Sequence, residues 1–168
     1  MSIEDKDNLI IWDFDNQWTS GCEDILLWKK YDAFKLGRVY SILQLVEENS
    51  EQLKSQYLAL IYELGEVNFN GRRVVEQLEV RPGFSYWWMT LLTEKCNFSK
   101  SPQIDNVIKL MAFENWLGDK DYKNIKLISA NIQLAEAITL ITDKLAVNFE
   151  WEKVRQQQSK KSFVRRTY

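Results

Sequence analysis

The sequence predicts an α/β domain with a mostly parallel sheet, on the basis of three observations. A short apolar run that ends in acids opens the chain at residues 7–15. Two strand patterns near the C-terminus flank an amphipathic helix pattern, an order typical of a βαβ unit with parallel strands. Helix patterns with clear caps fill the middle. A chain of 168 residues with 45% apolar side chains is sufficient for one such domain without disulfides or metals.

The N-terminal part of the chain contains one clear strand and one clear helix. Residues 7–15, DNLIIWDFD, predict a buried strand whose carboxyl end faces a cleft or solvent, and residues 16–24 then predict a loop. Residues 39–46, VYSILQLV, predict either a second strand or the entry to a helix, and the β-branched content favours a strand at the start. A helix follows, with Ser50 as its N-cap and Gly65 as its C-terminal stop.

Turn signals divide the middle of the chain into short elements. The Asn-Gly dipeptide at residues 70–71 is typical of a tight turn, and residues 74–80 predict a short helix. Pro-Gly at residues 82–83 interrupts the chain, after which Ser85 is placed to cap a helix that continues to Lys95. That helix would be apolar on almost every side, and we therefore expect much of it to be buried.

The C-terminal part contains a longer helix and the βαβ unit. The helix occupies residues 101–118, with Ser as N-cap and Pro in the first helical position. Strand, helix and strand then occupy residues 124–130, 131–146 and 147–152. Together with the first strand, these elements predict a Rossmann-like three-layer domain over residues 1–152, with a helical insertion between its first and last strands at about residues 50–118.

Composition excludes several kinds of site. The chain contains no histidine, which rules out a Ser-His-Asp triad, a Cys-His pair and every histidine-ligated metal site. Cys22 and Cys96 have no metal-binding spacing, and we expect two free thiols. A glycine-rich phosphate-binding motif is missing from the sequence as well. We predict no cofactor and no nucleic-acid partner.

Basic side chains are concentrated at the C-terminal end. Residues 153–168 contain no acid and six basic residues, which are Lys153, Arg155, Lys160, Lys161, Arg165 and Arg166. The other 152 residues carry 16 basic and 24 acidic groups, a net charge of −8. We predict a flexible extension that is either solvated or in contact with an anionic membrane surface. Since no signal peptide or membrane-spanning run is recognisable, we expect a cytoplasmic protein, at the inner membrane if the extension contacts it.

Asp13 and Asp15 are a weak candidate metal site at the end of the first strand. An apolar strand followed by Asp-x-Asp resembles the haloacid dehalogenase-like phosphatases, in which the first Asp is the nucleophile and Mg²⁺ lies between the two. Ser129 after a later strand is similar to that family's second motif, whereas Gln17 departs from its pattern and no acidic pair completes the magnesium site. We prefer the alternative of a strand end with solvated carboxylates, and we predict no metal.

Residues 81–101 form the candidate substrate-binding surface. Aromatic rings stack on the C–H faces of sugars, and cations or hydroxyl groups bind phosphates and sugar hydroxyls. The candidates are Arg81, Ser85, Tyr86, Trp87, Trp88, Lys95, Lys100 and Ser101. The last of them precede a helix N-terminus, which attracts anions. The alternative is a core helix of the insertion, in which both tryptophans are buried.

Several stretches together resemble a bacterial family of surface carbohydrate biosynthesis proteins. The similarity covers roughly residues 8–152, and its most specific part is YELGE followed by RPGFSYWWMTLL-EK and K-S-P. The resemblance implies a part in making O-antigen, lipopolysaccharide or capsule. It also implies a GT-B glycosyltransferase-like protein with two Rossmann-like domains, of which the first binds mainly the acceptor and the second the nucleotide sugar.

On this resemblance the chain is the N-terminal, acceptor-side domain, and alone we expect it to be inactive. Its partner would be a sugar or a lipid-linked acceptor. Glu94 is the candidate general base, because the chain has no histidine that could accept the proton. The alternatives are a non-catalytic module that docks biosynthetic partners or the inner membrane, and a phosphatase of the kind considered above. The sequence does not determine the oligomeric state.

Overall fold

A computed structural model describes residues 7–15, 23–31 and 38–154. The strands of the described part, in chain order, are β1 (Asn8–Trp12), β2 (Asp24–Leu27), β3 (Val39–Ser41), β4 (Asn68–Phe69), β5 (Arg72–Arg73), β6 (Glu79–Arg81), β7 (Phe84–Ser85), β8 (Asn124–Ser129) and β9 (Asn148–Lys153). The helices are α1 (Ile42–Glu48), α2 (Ser50–Glu66), α3 (Val74–Gln77), α4 (Pro102–Gly118) and α5 (Ile132–Lys144).

A parallel sheet of five strands in the order β3-β2-β1-β8-β9 is the centre of the described fold. Each neighbouring pair is parallel, and β1 pairs with β2 on one side and with β8 on the other. Helix α5 connects β8 to β9, which confirms the predicted βαβ unit. The chain therefore has an α/β fold with a parallel sheet, as the sequence predicts.

The main core lies on one face of the sheet. Leu9, Ile11 and Leu127 point from the strands into this core, and Phe113 of α4 and Ile138 of α5 meet them there. All five side chains are almost completely buried. Residues of α1 and α2 belong to the same cluster, and these helices thus cover the same face.

The opposite face carries a smaller apolar cluster. Its buried members are Ile10, Ile25, Leu27 and Ile128, which alternate along the strands with the residues of the main core. The short connections from β1 to β2 and from β2 to β3 contain residues 16–22 and 32–37, which lie outside the described residues. The predicted third layer therefore stays a prediction.

The insertion between β3 and β8 consists of helices and two small hairpins. Strands β4 and β5 form one antiparallel hairpin, and β6 and β7 form the other. The turns use Gly71 and Gly83, both of which have positive φ angles, as Asn-Gly and Pro-Gly signals predict. Helix α4 ends at Gly118, and β8 begins at Asn124 on the same core. The N-terminal end of α4 consequently lies on the side of the carboxyl ends of the strands.

Helix caps follow the sequence signals except at the two ends of α2, which continues past the predicted stop Gly65 to Glu66. The side chain of Ser101 accepts a hydrogen bond from the backbone of Ile104, and Pro102 occupies the first turn of α4, as predicted. Asn131 caps α5 in the same way. The cap of α2 is Asn49 rather than Ser50, which is already helical. This error of one residue is within the usual uncertainty of helix ends.

Residues 86–95, called the aromatic segment below, do not form the predicted continuous helix. The segment forms two 3₁₀ turns, Tyr86–Met89 and Leu91–Thr93, instead of one helix up to Lys95. Ser85 caps the first turn, as expected for its position, by accepting a hydrogen bond from the backbone of Trp87. Thr90 between the turns has an extended backbone, which interrupts the helical hydrogen bonds. The prediction of a continuous helix is wrong for this reason.

Two further predictions concern thiols and membrane spans. Cys96 is an exposed free thiol, and Cys22 lies outside the described residues. Within residues 7–15, 23–31 and 38–154, none of the helices has both the length and the apolar character needed to cross a bilayer.

Candidate functional site

The carboxyl edge of the sheet brings together side chains from three strand ends. In open parallel sheets, ligands bind beside the carboxyl ends of the strands. They bind between two neighbouring strands from which the chain continues to opposite sides of the sheet, so that the strand order reverses there. In the order β3-β2-β1-β8-β9 this reversal lies between β1 and β8. Asp13 directly follows β1, and Ser129 is the last residue of β8.

Asp13 is the centre of a hydrogen-bonded cluster at this point. The Ser129 hydroxyl donates to Asp13 Oδ2 at 2.5 Å, and the Lys29 ammonium lies 3.1 Å from Asp13 Oδ1. Lys29 also donates to the Asp13 backbone carbonyl at 3.1 Å. The backbone N–H of Asn131 donates to the Ser129 hydroxyl at 2.9 Å. The cluster therefore ties the ends of β1, β2 and β8 to the start of α5.

Burial makes these contacts energetically important. The Asp13 side chain is only 4% exposed, whereas that of Lys29 is 40% exposed. A buried carboxylate is tolerated when it is paired and hydrogen-bonded, and each Asp13 oxygen has such a partner. Its burial gives the Asp13 carboxylate little access to a phosphate ester, which argues against the phosphatase alternative.

Asp15 lies outside the Asp13 cluster. Its side chain is exposed, two residues beyond the buried cluster. In the described residues there is no group of three or more histidine, cysteine, aspartate or glutamate side chains that could hold a metal ion.

The aromatic segment presents two of its rings to solvent and buries the third. Trp87 is 6% exposed, while Trp88 is 53% and Tyr86 is 51% exposed. The indole of Trp87 packs against Gly65 of α2, where a β-carbon would lie 2.9 Å from Trp87 Nε1. Among the described side chains, Trp87 Nε1 is also a buried donor without a hydrogen-bond acceptor. Close packing rather than hydrogen bonding therefore fixes this ring.

Two predicted substrate-binding hydroxyls serve the fold. The buried hydroxyl of Ser85 donates to the Val75 carbonyl at 2.6 Å and accepts from the Trp87 backbone at 3.2 Å. The hydroxyl of Ser101 accepts from the Ile104 backbone at 3.4 Å and donates to Gln103 at 3.0 Å. Their hydrogen bonds hold a turn and a helix start in place.

The charged candidates lie at the surface. Glu94 forms an ion pair with Lys100, and Lys95 between them is exposed. The Arg81 guanidinium lies 4.9 Å from the centre of the Phe84 ring, a cation–π contact within the β6–β7 hairpin. The Glu94 carboxylate is therefore engaged in an ion pair at the surface.

A hydrogen-bond network that the sequence analysis missed anchors the aromatic segment to α2. The Tyr57 hydroxyl donates to the Leu92 carbonyl at 2.9 Å, and Asn97 donates to both at 2.9 and 2.8 Å. Burial raises the pKa of Tyr57, although its bond with Asn97 opposes this effect. Residue spacing gives no signal for such a network, because Tyr57 lies 35 positions from Leu92 and 40 from Asn97.

Of the basic extension, the structure describes only the beginning. Lys153 ends β9, and its ammonium lies 5.6 Å from the centre of the Trp151 ring. Five predicted membrane-contacting residues lie outside the described residues, namely Arg155, Lys160, Lys161, Arg165 and Arg166.

Comparison with known proteins identifies no relative. No protein-family model, no curated protein and no solved structure matches the chain. The resemblance to surface carbohydrate biosynthesis proteins therefore stays a prediction, and we state the function below as a proposal.

The Asp13 cluster and the aromatic segment differ in what they offer a ligand. The Asp13 cluster is closed, since its carboxylate is buried and engaged by Ser129 and Lys29. The aromatic segment is open, since the rings of Tyr86 and Trp88 are half exposed. In the sequence, the short 3₁₀ turn Asn97–Ser99 separates it from the start of α4.

Proposed function

We propose that this chain is a Rossmann-like, acceptor-side domain of a glycosyltransferase-like protein of surface polysaccharide biosynthesis. It would bind a sugar or a lipid-linked acceptor through Tyr86 and Trp88. The observation that carries the proposal is the exposure of these two rings on either side of the buried Trp87. The predicted core-helix alternative requires both tryptophans to be buried, and Trp88 does not meet that requirement.

The packing around Trp87 supports this role. Its contact with Gly65 and the cap from Ser85 fix the turn that carries the two exposed rings. A binding surface that is already ordered loses little conformational entropy when the ligand arrives. Aromatic rings also offer a large contact area, and Tyr and Trp retain a polar group for hydrogen bonds.

The charged residues near the rings support recognition of a polar acceptor. Arg81 and Lys95 are exposed cations that would meet phosphate or carboxylate groups of a lipid-linked sugar. Glu94 would act as general base towards an acceptor hydroxyl, with Lys100 as its ion partner. Glycosyl transfer is expected only together with a donor-binding domain.

Ligand titration tests the proposal. We expect lipid-linked sugars to change the Trp fluorescence and to raise the melting temperature, with a weaker response to nucleotide sugars. Trp88→Ala should weaken binding about tenfold, since stacking on an aromatic ring contributes roughly 1 kcal/mol or more. Phe69→Ala is the matched control, because Phe69 is an exposed aromatic residue outside residues 81–101. Equal affinities of the wild type and Trp88→Ala would refute the proposal.

The alternative of a docking module for the inner membrane has a separate test. Vesicles with anionic lipid would be pelleted with the full chain and with a chain that lacks residues 155–168. A docking role through the basic extension requires weaker binding of the shortened chain, and the shortened chain keeps all of β9.

A further inference from the structure

A polar groove of about 720 Å³ lies outside the site described above. Its volume is within the range of small-molecule sites, roughly 300–1,000 Å³. The described residues that line it belong to β3, α1, the start of α2 and the C-terminal end of α4. None of them belongs to residues 81–101. Asp119 in the groove and Ser101 lie at opposite ends of α4, which is roughly 25 Å long.

One wall of the groove is aromatic. The ring centres of Tyr40 and Trp116 are 5.0 Å apart, and Tyr122 continues the cluster at 5.8 Å from Trp116. The Tyr122 hydroxyl donates to Asp24 Oδ2 at 2.6 Å, which anchors the cluster to the start of β2. The Lys120 ammonium lies 5.7 Å from the Tyr40 ring and 5.6 Å from the Trp116 ring.

The remaining lining is rich in amides and acids. The polar members are Gln44, Glu48, Asn49, Gln52, Asn115 and Asp119. Several are already oriented by one hydrogen bond: Gln44 donates to Glu48 at 2.9 Å, and Asn49 donates to the Leu45 carbonyl at 2.8 Å. Asn115 exchanges two hydrogen bonds with Gln56, at 2.8 and 3.2 Å. An amide group has four hydrogen-bonding positions, and these residues keep capacity for a ligand.

Charge defines the class of ligand. The Asp119 carboxylate disfavours phosphates and other anions. The Lys120 ammonium already supplies a positive charge beside Tyr40 and Trp116, which disfavours a second cation there. Amides and carboxylates next to aromatic rings match a neutral ligand with many hydroxyl groups. We propose that this groove is a second carbohydrate site, which binds a neutral sugar ring independently of Tyr86 and Trp88.

NMR titration of the ¹⁵N-labelled full chain tests this inference. The probes are the methyl glycosides of glucose, galactose, mannose and N-acetylglucosamine, with inorganic phosphate and spermidine as charged comparisons. We expect at least one glycoside to shift the indole N–H of Trp116 and backbone signals of residues 44–52, and neither charged probe to do so.

Matched variants locate the site. Asp119→Ala and Gln52→Ala should each weaken the glycoside about fivefold, the effect of losing one hydrogen bond. Their controls, Asp121→Ala and Glu51→Ala, change exposed neighbours outside the groove lining and should bind like the wild type. Trp88→Ala should leave these shifts unchanged, which separates this inference from the proposed function. Absence of shifts at the groove with every glycoside, or unchanged affinity of both Asp119→Ala and Gln52→Ala, would overturn it.

Discussion

The hydroxyl of Ser129 donates a hydrogen bond to the buried carboxylate of Asp13 at 2.5 Å, across 116 positions of sequence. The two residues end neighbouring parallel strands at the point where the strand order reverses. Polar residues at this point often belong to a ligand site. Here Lys29 forms an ion pair with the Asp13 carboxylate, and the backbone N–H of Asn131 donates to the Ser129 hydroxyl. We therefore expect the contact to contribute to the stability of the fold.

Replacement of Asp13 should destabilise the protein. Asp13→Ala would leave the fully buried Ser129 hydroxyl without its acceptor, which costs about 1–3 kcal/mol of unfolding free energy. Lys29 adds less to this cost, since its half-exposed ammonium can be solvated. Urea unfolding measures the difference. Asp15→Ala, at an exposed position, should stay within about 0.5 kcal/mol of the wild type, and an equal loss in both variants would contradict a special role of Asp13.

The phosphatase alternative gives an enzymatic prediction about the same residue. We expect no magnesium-dependent hydrolysis of p-nitrophenyl phosphate by the wild-type chain, since the Asp13 carboxylate is buried. Release of p-nitrophenol is followed by absorbance, with Asp13→Asn as the comparison. Hydrolysis by the wild type that disappears in Asp13→Asn would revive the phosphatase alternative.

Two glycines in helices should respond oppositely to substitution by alanine. At Gly65 the new β-carbon would lie 2.9 Å from Trp87 Nε1, and this overlap should cost about 1–3 kcal/mol. At Gly118 nothing lies within 4 Å of the new β-carbon, and alanine should be neutral or stabilising by up to about 1 kcal/mol. Thermal unfolding of both variants tests the pair, and a Gly65→Ala protein as stable as the wild type would show that Trp87 is loosely packed.

Tyr122 should make the protein sensitive to alkaline pH. Burial, followed by the hydrogen bond to Asp24, raises the pKa of Tyr122 well above the ordinary value of 10.0 for a tyrosine. The folded state then holds the phenolic proton more tightly than the unfolded state. Its contribution to stability is complete below pH 10.0 and is lost as the pH rises towards the folded-state pKa.

Denaturation at several pH values tests this contribution. In Tyr122→Phe the fall in unfolding free energy above pH 10.0 should be shallower than in the wild type. Tyr62→Phe, which changes an exposed tyrosine on α2, should follow the wild type. Parallel pH profiles of Tyr122→Phe and the wild type would show that Tyr122 does not determine the alkaline loss.

The sequence predicts the C-terminal elements of the fold well. The β8-α5-β9 unit has strong periodicity and a side-chain cap, and both are local signals. Strand β2 was missed, because its four residues are too few for a period and the preceding segment reads as a loop. The aromatic segment was predicted as a helix from its apolar spacing, whereas Ser85 and Thr90 divide it into turns.

The candidate site was predictable only in part. The sequence marks Tyr86, Trp87 and Trp88 as unusual, but which ring is buried depends on the approach of Gly65 from a distant helix. The groove beside Tyr40 and Trp116 has no sequence signal at all. Its amides and acids are ordinary surface residues, and they become a lining only because β3, α1 and α4 pack together.

The pairing of β1 with both β2 and β8 has a consequence for synthesis. Strand β1 is translated first, yet its partner on one side emerges from the ribosome only after more than a hundred further residues. Until then one hydrogen-bonding edge of its apolar run, NLIIW, has no strand to pair with. Long-range pairing of this kind slows folding. The nascent chain is therefore expected to need protection at β1 until β8 has been made.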